Sequence, residues 1–298
     1  MHIQKEFLSF RHVALGLALL SGGLHIQAQA AAPTVRYAIT ELSLLAGYKG
    51  NDAYAINNAG QVAGSSWRED GGVRATLWDV NGAASAIDRG WPWAYGYALN
   101  NAGVVVGTAY AGDQYPTQWS GGQETTLSAN TCCGASGSAT GINDQGTVVG
   151  WVDYRAVTWS STGSATLLPN LLRRGGSSSA SAINNAGQVT GYSSAAGGAL
   201  HAVVWNGAAV LDLGLLSGFS DSVGSSINEA GLVVGLSSKN SFNTGHATLW
   251  RNGQVIDLGS LRGGLDSSQA YDVNNLGQIV GISGNNDLTE PPGDDDEA

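Results

Sequence analysis

The 298-residue sequence predicts an all-β fold, a β-propeller of six blades, each a repeat of about 43 residues and four strands, with the last blade incomplete or closed by the two chain ends. Three observations lead there. Segments 53–64, 96–107, 139–150, 180–191, 224–235 and 270–281 align, and their apolar anchors Ile56, Leu99, Ile142, Ile183, Ile227 and Val273 stand 43, 43, 41, 44 and 46 residues apart. A second apolar run ends in tryptophan in five of the repeats, at Trp78, Trp119, Trp159, Trp205 and Trp250. Glycine is abundant, 44 residues against 6 prolines, and only 12% of the chain is charged, which suits short strands joined by tight turns and excludes a coiled coil or a charge-rich disordered chain.

At the N-terminus a polar start leads into an apolar stretch at 13–20 and then to Ala28, Gln29 and Ala30, an A-x-A site. Residues 1–30 therefore read as a secretory signal peptide cleaved near Ala30. Ser21, Gly22, Gly23, His25 and Gln27 interrupt the stretch before the roughly 18 apolar residues that a membrane anchor needs. The expected location is secreted, periplasmic or at the cell surface, with no membrane insertion after the signal is removed. The formal net charge is −10, one unit more negative without Lys5, Glu6 and Arg11, and an acidic surface disfavours nucleic acid and anionic membranes as partners. Residues 31–284 form the expected repeat domain. Residues 285–298 read as an acidic disordered tail, where Asp294, Asp295, Asp296 and Glu297 follow Pro291 and Pro292 without the ligand spacing of a calcium loop.

Each repeat opens with a strand that ends at the first Asn of an Asn-x-x-Gly turn, Asn57 to Gly60 in the first copy. Glycine at the last turn position takes a positive φ, and the Asn side chain bonds backbone in an Asx-turn, so these recurring residues have a structural task and carry no catalytic weight. Ala53, Gly96, Ala139, Ala180, Gly224 and Ala270, three residues before each anchor, are all small, as expected where innermost strands converge on a narrow channel. The third-strand tryptophans are the expected blade-to-blade core. Each would bury roughly 150–250 Å², about 4–6 kcal/mol as an upper bound. Asn206-Gly207 and Asn252-Gly253 mark tight turns into fourth strands ending at Gly214 and Gly259. Residues 37–45 look like one more fourth strand, which would join the first two strands of the last repeat and close the ring. The third strand of that blade is missing, so a three-stranded blade, an open ring and an early end to the gene product all fit.

Asn-Asn-x-Gly-Gln-Val-x-Gly, followed by His-Ala-x-x-Trp and Asp-Leu-Gly, resembles the HAF family of bacterial extracellular repeat proteins over about residues 35–284. The His-Ala pair persists only at His201-Ala202 and His246-Ala247; Arg74, Tyr115 and Arg155 replace the histidine elsewhere, which argues against that imidazole as an obligatory ligand. The resemblance implies export and a repeat scaffold, and it carries no established activity.

With two hairpins per blade, the short turns share one face of the disc and the longer loops the other, where a binding site belongs. The candidate ligand-binding residues on that second face are Trp67, Trp91, Trp93, Tyr95, Tyr110, Asp113, Tyr154, Arg173, Arg174 and Phe242. Aromatic rings interleaved with carboxylates and amides suit a sugar, whose apolar face stacks while its hydroxyls are hydrogen-bonded. Equally, Trp91 and Trp93 fit as core plugs under a loop, and Arg173-Arg174 as a solvated pair. No catalytic residue, metal site or cofactor is assigned, because no nucleophile elbow, zinc spacing or phosphate loop appears. Cys132 and Cys133 are either a strained vicinal disulfide or two free thiols. Three functional readings follow: a non-catalytic exported scaffold presenting loops to a glycan, peptide or envelope partner; a glycan-processing enzyme using Glu69, Asp70, Asp113 or Asp153; and a purely structural surface protein.

Overall fold

The structure is a computed structural model and describes residues 2–3, 39–128, 136–172, 175–239, 244–261 and 266–285. The signal segment beyond His2–Ile3, the acidic tail beyond Asn285, Cys132, Cys133, Arg173, Arg174 and Phe242 lie outside the described residues.

The fold is all-β and built from blades of the propeller type, antiparallel meanders that pack face to face in chain order. A two-residue pairing of β1 (His2–Ile3) with β2 (Ile39–Thr40) precedes them. Module one comprises β3 (Gly50–Ile56), β4 (Val62–Trp67), β5 (Val73–Trp78) and β6 (Ala84–Ala86). Module two comprises β7 (Trp93–Leu99), β8 (Val105–Ala111), β9 (Asp113–Ser120) and β10 (Gln123–Thr126). Module three is β11 (Gly137–Ile142), β12 (Val148–Val152), β13 (Arg155–Trp159) and β14 (Ala165–Leu167). Module four is β15 (Ser178–Ile183), β16 (Gln188–Ser194), β17 (Leu200–Asn206) and β18 (Ala209–Gly214). Module five is β19 (Asp221–Ile227), β20 (Val233–Lys239), β21 (Thr244–Arg251) and β22 (Gln254–Gly259), and module six has two strands, β23 (Asp266–Val273) and β24 (Ile279–Asn285). The one helical turn among the described residues is 3₁₀, Ala196–Gly198.

The core lies between modules, as the repeating tryptophans predict. Trp78, Trp159 and Trp205 are wholly buried, and Trp119 and Trp250 nearly so. Each sits with the second-strand valine of its own module and, in modules two to five, with residues of the module before it: Trp205 packs with Val189, Ala180, Val149, Ala156 and Leu168. Its indole Nε1 donates to Pro169 O at 2.7 Å, as Trp159 Nε1 does to Ser128 O and Trp250 Nε1 to Gly214 O, so the end of one module caps the tryptophan of the next.

Two turn features follow from sequence. The turn glycines Gly60, Gly103, Gly146, Gly187, Gly231 and Gly277 all have φ between 76° and 78°. Asn252 and Gly253 form a tight turn with φ 53° and 76°. In module four Asn206 pairs with Ala209, so the turn residues are Gly207 and Ala208, one place later than the dipeptide suggests.

Two expectations are corrected. In modules two to six the small residue before the anchor answers to packing within and between modules rather than to a channel: a Cβ on Gly96 would stand 2.9 Å from Val105 Cγ1 and 3.2 Å from Gly64 O, and Ala139, Ala180 and Ala270 are buried against their neighbours, while Ala53 of module one is exposed. Residues 41–45 are not a strand of module six. They cap module one, with Leu42 buried on Val62 and Trp78 and with Ser43 O accepting from Trp78 Nε1 at 2.8 Å. Strand β24 pairs only with β23 among the described residues.

Candidate functional site

Among the described residues, modules one and two alone are joined by a strand bridge. Val73 and Trp93 form a parallel bridge, which fuses their strands into one eight-stranded sheet. One rung therefore runs across both modules through Gly50, Trp67, Val73, Trp93, Tyr110 and Gln114. This rung lies at the strand ends opposite the Asn-x-x-Gly turns and brings Trp67, Trp93 and Tyr110 together.

Trp93 is 44% exposed, and its Nε1 donates to Gly71 O at 2.6 Å, which fixes the ring. The exposed Trp67 ring lies over Gly50, where a Cβ would overlap it. One step along the strand Tyr95 stacks on Tyr97, centroids 5.9 Å apart, while Tyr110 meets Tyr95 edge-on at 5.8 Å and Tyr54 meets Tyr97 edge-on at 5.7 Å. Burial pushes the Tyr97 phenol well above the ordinary tyrosine range, reinforced by Tyr110 and Tyr54. Burial raises Tyr95 as well, helped by Tyr110, Tyr54 and Asp52. These two phenols stay neutral at physiological pH, amphipathic faces with hydroxyl groups able to donate or accept.

Tyr54 and Tyr97 escaped the reading of the sequence. Each is the extra residue of a bulge in its first strand, where the register shifts between Ala53 and Ala55 and between Gly96 and Ala98. A bulge residue leaves the alternation of the strand. The signal was available: the corresponding positions read Tyr54, Tyr97, Thr140, Ser181, Ser225 and Tyr271, tyrosine in three repeats and a small hydroxyl residue in the other three.

Trp91 and Trp93 divide between the two readings left open for them. Trp91 is half-buried on the Ala63, Ala94 and Val105 cluster, with Nε1 donating to Glu124 Oε1 at 2.8 Å, and it is a core plug. Asp113 is exposed at the β8–β9 turn. Tyr154, 77% exposed, occupies a module-three turn with Asp153, both at positive φ, and stacks on Trp151 at 6.3 Å as a second aromatic group. An open depression of about 540 Å³ beside it is lined by Arg155, Pro169, Asn170, Leu172, Gly175 and Gly176.

The polar groups near the seam are tied to one another. Glu69 pairs with Lys49 at 3.6 Å and Asp70 with Arg68 at 3.1 Å, and the Arg68 guanidinium lies over the Tyr48 ring at 5.5 Å. The two strand-three histidines bond strand four: His201 Nδ1 to Asp212 Oδ2 and His246 Nδ1 to Asp257 Oδ2, each at 2.8 Å. In module one Arg74 makes the corresponding tie to Asp88 at 2.7 Å. Among the described residues no group of three or more His, Cys, Asp or Glu is placed to hold a metal ion.

No protein-family model matches the chain, and no curated protein matches it. Among solved structures it is similar to TolB from Acinetobacter baumannii, with a TM-score of 0.45 and 13% identity over 67% of this chain and 51% of that one. It is also similar to Pyrococcus horikoshii acylaminoacyl peptidase, with a TM-score of 0.47 and 15% identity over 75% of this chain and 41% of that one. The chain thus spans about half the length of these proteins or less.

Proposed function

We propose that the protein is an exported, non-catalytic propeller-type scaffold whose seam between modules one and two binds carbohydrate. The observation that carries this reading is the contacting row of Tyr110, Tyr95, Tyr97 and Tyr54, with the exposed Trp67 and Trp93 on the rung that Tyr110 shares and the Trp93 ring fixed by Gly71 O. A flat ring fixed by hydrogen bonds loses little entropy on stacking against the C–H face of a sugar, and neutral phenols with nearby Asp70 and Lys49 supply groups for its hydroxyls. Export is supported by the leader-like residues 1–30 and by the resemblance to extracellular repeat proteins. Among the described residues no helix is long and apolar enough to cross a membrane.

The test is titration calorimetry of the purified protein against a panel of neutral and acidic oligosaccharides. Trp93→Ala should weaken binding about tenfold, the equivalent of about 1.4 kcal/mol, while Tyr154→Ala on module three should leave it unchanged. A panel without a binder, or a Trp93→Ala protein that binds as the parent does, overturns the proposal.

A further inference from the structure

The five junctions between modules use one pair of surfaces five times. On the forward side of each module lies a second-strand residue, Ala63, Val106, Val149, Thr190 or Val234, each wholly buried. On the backward side of modules two to five lie the anchor residue, second-strand valine and tryptophan, and on that of module six Val273 and Ile279. Val234 and Ala247 of module five, for example, meet Ala270 and Val273 of module six.

At the two ends of the row these same surfaces are in part exposed, although Leu42 covers Val62 and Trp78 of module one. Val280, the forward residue of module six, is 62% exposed, and Ile282 beside it is exposed too. Ile56, the backward anchor of module one, is 53% exposed, whereas the equivalent Ile227 and Val273 are buried.

A polar ladder gives the junctions a direction. The side-chain Nδ2 of each first turn asparagine donates to the main-chain carbonyl of its counterpart in the next module: Asn57 to Asn100, Asn100 to Asn143, Asn143 to Asn184, Asn184 to Asn228 and Asn228 to Asn274, at 3.0–3.2 Å. Alongside, the main-chain N–H of each second turn residue donates forward to a side-chain oxygen: Asn58 to Asn101, Asn101 to Asp144, Asp144 to Asn185, Asn185 to Glu229 and Glu229 to Asn275. All ten of these donors point toward module six and their acceptors toward module one; Asn185 Nδ2, which donates back to Asp144 Oδ2, runs against them. Among the described residues, the row therefore ends on donors at Asn274 Nδ2 and Asn275 N–H, and begins on acceptors at Asn57 O and Asn58 Oδ1.

We propose that a second copy of this chain seats its module one on module six of the first, in the register of the internal junctions, so that molecules associate head to tail. Asn274 and Asn275 would donate to Asn57 and Asn58 of the second copy, and Val280 would be covered by the Ile56 side. The second copy brings its own cap for Trp78, residues 41–45, so that tryptophan stays covered although the described part of module six has two strands. A two-fold arrangement of like faces would set donors against donors, whereas a head-to-tail contact satisfies both ends and repeats. Among the described residues module six has two strands, so the contact is smaller than an internal one.

Sedimentation velocity from low to high micromolar protein tests this. The parent chain should grow in size with concentration, and Val280→Asp and Ile56→Asp, both at exposed positions, should each stay monomeric. Each variant keeps the face that the other has lost, so mixing them should give a one-to-one dimer and nothing larger. Asn58→Ala, an exposed turn change that removes only the acceptor, should weaken association several-fold. A parent chain that is monomeric at every concentration, variants that still self-associate, or a mixture of the folded variants that forms no dimer overturns the proposal.

Discussion

The amide of Asn57 has two protons and two acceptor lone pairs, and the structure uses all four. Oδ1 accepts from the main-chain N–H of Ala59 and Gln61, while Nδ2 donates to Gln61 Oε1 and Asn100 O. The first half, an Asx-type turn, is readable from four adjacent letters. The second half is not, because its acceptor lies in the next module. Asp144 shows how charge enters the same ladder: it accepts from the N–H and Nδ2 of Asn101 and from Nδ2 of Asn185. The main-chain N–H of Asn101, with these side-chain amides, holds its carboxyl below the ordinary aspartate range. A depressed folded pKa gives stability that is present above the unfolded value, about 3.9, and lost as pH falls through the folded one. Asp144→Asn keeps an acceptor oxygen and removes the titration, so the drop in melting temperature between pH 6 and pH 3 should be smaller than in the parent. An equal drop would show that the hydrogen bonds to Asp144 do not favour its charged form.

At the scale of the hairpin, the motif owes its two glycines to different causes. The turn glycine has a positive φ, 77° at Gly146, that a side chain resists. The second-strand glycine has no such φ; the bulge of strand one drives a carbonyl into the place where its Cβ would be. A Cβ on Gly150 would overlap Ser138 O, and Gly64, Gly107, Gly191, Gly235 and Gly281 repeat the arrangement with Asp52, Tyr95, Ser179, Val223 and Gln269. Gly150→Ala should therefore cost about 1–3 kcal/mol or more, since backbone rather than a flexible side chain must move. Urea unfolding would read it, and a midpoint equal to that of the parent would mean that the bulge relaxes freely. The same bulge aims Tyr54 and Tyr97 out of the alternation, which is why a strand pattern treated them as ordinary positions while Trp93, Tyr95 and Tyr110 were legible as loop-side aromatics.

Across the whole molecule, each module packs on its immediate neighbours, so stability is shared along the row and is least at its ends. Among the described residues no module covers Ile56 of module one or Val280 of module six, and both are exposed. In dilute solution, amide hydrogens of β3 and β24 should exchange well before those of β12 and β16, whose residues Val149, Val189 and Thr190 are buried from both sides. Hydrogen exchange read by mass spectrometry checks the order, and equal protection along the row would show that it unfolds as one unit.

Local pattern alone determined the repeat, its hairpins, its turn glycines and the burial of Trp78, Trp119, Trp159, Trp205 and Trp250, because tight turns and strand alternation are set by residues a few places apart. What only the tertiary structure decided lies between repeats: the direction of the asparagine ladder, the parallel bridge at Val73 and Trp93 that gathers the aromatic seam, and the capping of Trp78 by residues 41–45 instead of closure onto β24. Those contacts join groups tens of residues apart, and their partners are mostly backbone atoms. Backbone carbonyls and N–H groups are common to nearly all residue types, so no letter of the sequence marks which of them will meet.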